Sequence, residues 1–288
     1  MSLITPLEPS TGGAHGATDA LMESHQSVHT TLFGRIESAV ASSCGSVHSV
    51  NEDSHSALDE SGTMFVLADG VGGGAMAALA SRYLVAHLHA QLNGHRIGAA
   101  GIREAVMSAD RAITKRIAEV TDRAGAATMA LCASANVFAS KWVVAWVGDC
   151  RVYQLAADRD QPLHGLTLDD TFEHLNETPP PSSSRDDPAR MVGNGAVSQA
   201  NVVFTHVGHG DLLLMCSDGV HKFVDTKDLT CLLRGQASLA RRCEDIIALA
   251  RANGSIDDAT ALVVLRDGMV VQRPLWIDRL VNHERTRR

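Results

Sequence analysis

Three aspartates close three apolar runs in the same way: MFVLAD ends at Asp69, VVAWVGD at Asp149 and LLLMCSD at Asp218. Asp257 and Asp258 instead open the run ATALVVL, and Asp53 follows the first strand-like segment in NEDS. In an antiparallel sheet the start of one strand lies beside the end of its neighbour, so acids at these positions converge on one edge of a core. Their mutual repulsion is relieved by a cation. Carboxylates with few His or Cys companions favour hard, oxygen-seeking ions, Mg2+ or Mn2+. Two such ions roughly 3.5–4 Å apart can share a water and activate it for in-line attack on phosphorus. A single Asp-Gly at a strand end is usually only a turn; repetition of the pattern is what points to chemistry.

Asp69 runs into Gly70 and Gly72 to Gly74. Such a stretch reads as a turn into the alanine-rich helix that follows or as a phosphate-cradling loop. The nucleotide-loop version needs GxxxxGK[ST], and no Lys-Ser or Lys-Thr follows these glycines.

The elements that must position these residues are readable from periodicity. TMFVLAD is a buried strand, AMAALASRYLVAHLHAQLNG a helix stopped at Gly94, and GIREAVMSADRAITKRIAEVTDR a second helix with Ile102, Val106, Ile113 and Ile117 on one face. TMALCASANVF, KWVVAWVGD and CRVYQL read as consecutive strands of an antiparallel meander. NVVFTHV and DLLLMCSDG return to strand, QASLARRCEDIIALARANG is a helix, and DDATALVVLRDG a last strand. Residues 1–32 mix Gly, Ser, Thr, Pro and His and read as a mobile arm, residues 33–267 as the folded unit, and 268–288 as a loosely packed tail. Residues 156–200, centred on ETPPPSSSRDDP, are too long for an ordinary connection.

A chain of 288 residues with 45% hydrophobic and 20% charged residues reads as soluble and globular, large enough for a substantial core. A formal charge of −8 argues against partners that reward a basic surface, nucleic acid and anionic membrane alike. No apolar run is long enough to span a bilayer, and no basic-then-apolar leader opens the chain. Six cysteines without CxxC spacing read as reduced thiols of a cytoplasmic protein, with a zinc site disfavoured.

HSVNEDS, VLADGVGGG, AATMAL, VGDCRVY, LLMCSDGV and IDDATALVV follow one another over residues 34–266. In this order and at these intervals they resemble the metal-dependent protein phosphatases of the 2C type, bacterial ones above all. The resemblance implies an α+β fold: a four-layer αββα sandwich of two antiparallel sheets packed face to face and flanked by helices. It implies an Mn2+- or Mg2+-dependent phosphatase acting on phosphoserine and phosphothreonine in proteins, among them a serine/threonine kinase or its targets, and working as a monomer. Carried over by position, Asp53, Asp69, Asp218 and Asp257 are the acids of a two-metal catalytic core. Asp69 bridges the ions and Gly70 reaches one through its carbonyl. Asp149 with Asp218 holds a third, weaker ion. Glu52 and Thr128 support the site, and residues 156–200 form a flap opened by LTLDDTFEHL.

Some positions depart from the family pattern. Where an arginine usually grips substrate phosphate stands His48, which offers at most one contact per ring nitrogen in place of a charged fork. The alternative this opens is a weak or inactive pseudophosphatase, a scaffold that binds phosphoproteins without turning them over. Asp258 stands where Asn is usual, Cys150 where Ser is usual, and Val71 where some relatives carry a His that serves the leaving group. His164, His174, His206 and His209 have no place in the motifs.

Overall fold

The computed structural model describes residues 22–31, 34–92, 97–121, 125–195, 197 and 199–268. In chain order these form β1 (Met22–Thr31), β2 (Gly34–Ser43), β3 (Asp53–His55), α1 (Leu58–Ser61), β4 (Met64–Val71), α2 (Ala75–Leu92) and α3 (Ala99–Ala118). There follow β5 (Ala126–Ser134), β6 (Lys141–Val147), β7 (Arg151–Leu155), β8 (His164–Gly165), β9 (Asn201–His206) and β10 (Leu212–Cys216). The described chain ends with α4 (Asp218–His221), α5 (Thr226–Leu233), α6 (Leu239–Ala252) and β11 (Ala259–Asp267). One antiparallel sheet has the order β1-β2-β11-β10-β7-β8, the other β3-β4-β5-β6-β9.

Strand alternation assigns each side chain to a layer. In β4, Phe65 and Leu67 join Trp142, Val152, Leu213 and Leu262 in the core between the sheets. Val66 and Ala68 face outward onto Leu84, Leu88, Ile102 and Ile113 of α2 and α3. On the other sheet Leu214 and Val263 pack outward on Leu229, Ile246 and Ile247 of α5 and α6. The order is therefore helix, sheet, sheet, helix, the αββα sandwich. The expected face of α3 is right: Ile102, Val106, Ile113 and Ile117 are all buried.

The chain differs from its sequence reading in two places. CRVYQL does not continue the meander: β5 and β6 pair, but β7 pairs with β10 in the opposite sheet. The crossing is made at Gly148, whose φ of 89° favours glycine. Part of the segment expected as a mobile arm is strand, because β1 pairs with β2 from Met22↔Ser43 to Thr31↔Gly34. It carries a polar sequence with exposed side chains, so main-chain pairing at a sheet edge holds it and no apolar stripe announces it. Gly94, residues 1–21 and all of the expected tail after Gly268 lie outside the described residues.

Candidate metal centre

The inward-facing stripes of the two sheets turn polar at the same end. In β4 the inward series Phe65, Leu67 continues to Asp69, which stands opposite Asp53 of β3 and Thr128 of β5. The strand does not end at the acid, as the sequence reading had it, but runs on through Gly70↔Ala127 and Val71↔Ala126. Across the sandwich, Leu213 and Met215 lead to Ser217, and Leu262 leads back to Thr260. The Ser217 hydroxyl donates to Asp53 Oδ2 at 2.7 Å and the Thr260 amide donates to Ser217 Oγ at 3.0 Å. The two sheets are thus tied together under the acids by buried hydroxyls.

Electrostatics identify the hub. Asp69 is raised well above the usual carboxylate range by burial and by the charges of Asp218, Asp53, Asp149 and Asp257. Burial, opposed by the Thr260 and Ser217 hydroxyls and reinforced by Asp258 and Asp218, pushes Asp53 up to about 8. Burial and Asp218 push Asp149 up to about 7 against the pull of Lys222. Asp257 is raised by burial and Asp218. The five acids expected at the site therefore share one field with Asp69 at its centre. Among the described residues, however, no three His, Cys, Asp or Glu side chains close into a metal-holding group. Two buried carboxylate oxygens, Asp53 Oδ1 and Asp149 Oδ2, have no hydrogen-bond partner. Asp149 Oδ2 has Lys222 Nζ at 3.6 Å, and Asp53 Oδ1 is left without a hydrogen bond; buried carboxylates of this kind are costly unless a cation meets them, so the oxygen-rich donor set fits Mg2+ or Mn2+.

The glycine loop is packed against this hub. A Cβ on Gly70 would lie 2.5 Å from the Ala77 carbonyl oxygen and 2.9 Å from that of Glu52, so only glycine lets β4 pass under the first turn of α2. Gly72, Gly73 and Gly74 have φ of 117°, 78° and 78°. Glu52, nearly fully buried, accepts a short hydrogen bond from the Gly74 amide, and its carboxylate meets His48 Nδ1 at 2.9 Å. The His48 ring lies over Gly73, where an added Cβ would stand 3.5 Å from Nε2. Thr128 is buried, with Oγ1 3.2 Å from Cys150 Sγ.

Asp258, which adds to the field on Asp53, also anchors main chain. Its two carboxylate oxygens accept from the Gly45 and Glu52 amides, each at 2.6 Å. An amide side chain presents only one oxygen, so Asp258→Asn would set an NH2 against a main-chain N–H. Asp258→Asn is expected to destabilise the fold by about 1–3 kcal/mol in denaturant titration; an unchanged midpoint would show that the second amide finds another acceptor.

Sequence reasoning missed four residues. Lys222 Nζ stands 2.7 Å from Asp218 Oδ2 and 3.6 Å from Asp149 Oδ2. His221 Nε2 lies 2.9 Å from the Asp149 main-chain oxygen, and burial and Arg151 push its imidazole down to about 4. Asp170 accepts from the Gly148 amide at 3.1 Å and from Asn201 Nδ2, anchoring the long segment beside Asp149. Asp169 pairs with Arg151 at 2.7 Å. The sequence signals were the i,i+4 spacing of Asp218 and Lys222 and the place of Asp169 and Asp170 in LTLDDTFEHL. His164, His174, His206 and His209 are all exposed.

Comparison with known proteins fits this geometry. The serine/threonine protein phosphatase PstP of Mycobacterium tuberculosis is 29% identical over 236 residues, 78% of this chain but 44% of PstP. The chain thus spans less than half the length of that relative. The crystal structure of M. tuberculosis PstP/Ppp superposes with a TM-score of 0.69 at 26% identity, covering 81% of this chain and 99% of the other. The PstP catalytic domain in complex with two manganese ions gives 0.68 at 26% identity, covering 81% and 98%. PppA of Pseudomonas aeruginosa, at 24% identity and a TM-score of 0.67 over 83% of this chain and 100% of its own, shares the fold. A sequence profile described as protein phosphatase 2C matches residues 41–271, well over half the chain. The chain belongs to the protein phosphatase 2C family.

Proposed function

We propose that this protein hydrolyses phosphoserine and phosphothreonine in phosphorylated proteins with the help of Mn2+ or Mg2+. The observation that carries the proposal is the gathering of acids at one end of the sandwich: Asp53 stands opposite Asp69 across β3 and β4, Lys222 joins Asp149 to Asp218, and the buried Asp53 Oδ1 has no hydrogen-bond partner. Asp53, Asp69, Asp218 and Asp257 would hold two ions together with the Gly70 carbonyl. When bound, such a pair supplies Lewis acidity that turns a water into a nucleophile and offsets phosphoryl charge. The protein's own residues set the geometry around it. Ser217 fixes the rotation of Asp53 through its hydroxyl. Glu52 holds both the Gly74 amide and His48, so the phosphate-facing ring and the glycine loop move as one piece. Water attacks phosphorus, the bond to the serine or threonine oxygen breaks, and that oxygen takes up a proton. The segment 156–200, anchored at Asp170, serves as the flap over this end.

The test is hydrolysis of para-nitrophenyl phosphate and of a phosphothreonine peptide with and without Mn2+, beside Asp218→Ala. Turnover that needs the metal and the acid supports the proposal; folded protein that binds Mn2+ and turns over neither substrate supports the scaffold reading. One observation favours that second reading: His48 spends Nδ1 on Glu52 and keeps one ring nitrogen for phosphate. His48→Arg separates the two. Restoring a charged, two-pronged donor is expected to lower the Michaelis constant for a phosphopeptide about tenfold with little change in kcat. A constant that stays put or rises would remove His48 from phosphate binding.

A further inference from the structure

The position implied for a third ion, between Asp149 and Asp218, contains a residue of the chain itself. Lys222 Nζ meets Asp218 Oδ2 at 2.7 Å and comes within 3.6 Å of Asp149 Oδ2. Asp149 is 2% exposed, and that Oδ2 has no hydrogen bond, so the ammonium is the cation nearest to an otherwise unmet buried charge. The placement is built by neighbouring structure. Val220, fully buried, seats α4 in the core, and His221 grips the Asp149 main chain through Nε2 at 2.9 Å. Residues 221 and 222 therefore hold one aspartate from two sides, main chain and carboxylate. Lys222 follows Asp218 by one helical turn, the spacing at which a cation reaches back to an acid.

We propose that the Lys222 ammonium is a built-in substitute for a third metal ion, so that this chain binds one ion fewer than its acids would otherwise take. A tethered monovalent cation satisfies Asp149 and Asp218 at any metal concentration. A divalent ion would have to displace it to reach Asp149. Asp149 thereby becomes a partner of Lys222, and the ion count at this end is fixed by the chain.

The inference rests on the metal-centre reading above, and its readout is a difference in metal content, independent of turnover. Purified protein is dialysed to equilibrium against a series of MnCl2 concentrations and the bound Mn2+ per chain is measured by atomic emission. Lys222→Met, of similar length and without charge, is expected to bind one more Mn2+ than the unaltered chain, with circular dichroism showing that it is folded. No gain in the folded variant overturns the proposal. Asp149→Asn in the otherwise unaltered chain supplies a second measurement: it is expected to lose no Mn2+, and the loss of one ion overturns the proposal whatever Lys222→Met does. The absolute content of the unaltered chain tests the separate reading, since fewer than two ions would sink the two-metal centre while leaving the difference between variants readable.

Discussion

Asp69→Asn is expected to lower metal-dependent phosphatase turnover by about 1000-fold or more, since the shared acid of a two-metal centre supports several kcal/mol of transition-state stabilisation. The same substitution is expected to make the metal-free protein more stable. Asp69 sits in the field of Asp218, Asp53, Asp149 and Asp257, and burial adds to their effect. Asparagine keeps the shape and removes the charge. A gain of about 1 kcal/mol would raise the melting temperature by roughly 2–4 °C for a domain of this size. Activity assays and thermal melts in chelator on the same preparation check both halves. Retained turnover would remove Asp69 from the centre; lost turnover with a lowered metal-free melting temperature would mean that Asp69 holds the fold by contacts other than those seen.

Mn2+ is expected to stabilise the chain strongly and to reverse its response to pH. For the metal-free protein the sign follows from the raised carboxylates. Asp53 and Asp149 stand at about 8 and about 7, so across the range from ordinary carboxylate values up to these the folded state holds protons that the unfolded chain has released. Stability then falls as pH rises from about 5 to about 8. Bound ions keep the same acids ionised in the folded state, so affinity rises with pH and the slope turns over. At metal concentrations about 100-fold above the dissociation constant the gain is about 2.7 kcal/mol. Melting curves at pH 5.5 and pH 8, each with Mn2+ and with chelator, read the effect. A metal-free protein that is more stable at pH 8 than at pH 5.5 would contradict the acid field as drawn.

The acids were legible in the sequence because strand alternation carries a residue's face with it. Phe65, Leu67 and Asp69 lie on one side of β4, so an apolar pair predicts where the third side chain emerges. α3 was legible for the same reason at helical period. The crossing of β7 to the other sheet was not, because Gly148–Cys150 is as short as a hairpin turn and its direction depends on a backbone torsion. β1 was hidden by its polarity: MESHQSVHTT has no stripe to bury, and its ten-residue ladder with β2 is main-chain pairing. α5 was missed because eight residues capped by Asp225 are too short for a period to stand out. Lys222 and Asp170 were hidden by their types, since charged residues in short helices and long loops are ordinarily solvated. Asp258 was visible, but its use as a double acceptor for Gly45 and Glu52 depends on chain segments more than 200 residues away.

The sandwich is closed differently at its two ends. At the end away from the acids, Trp142 stacks on Phe65 with ring centroids 6.3 Å apart, and Arg266 spans the seam by donating to the carbonyls of Val207 and Phe138. That floor is sealed by packing and satisfied hydrogen bonds; the acid end is tied by the Ser217 hydroxyl to Asp53 beneath a group of carboxylates that disfavour one another's charge. Local stability need not be uniform across such a body, and the end whose acids need a cation or a proton is the one whose stability changes with metal and pH. Frustration is thus concentrated at the acid end, while the packed base of the sandwich is free of it.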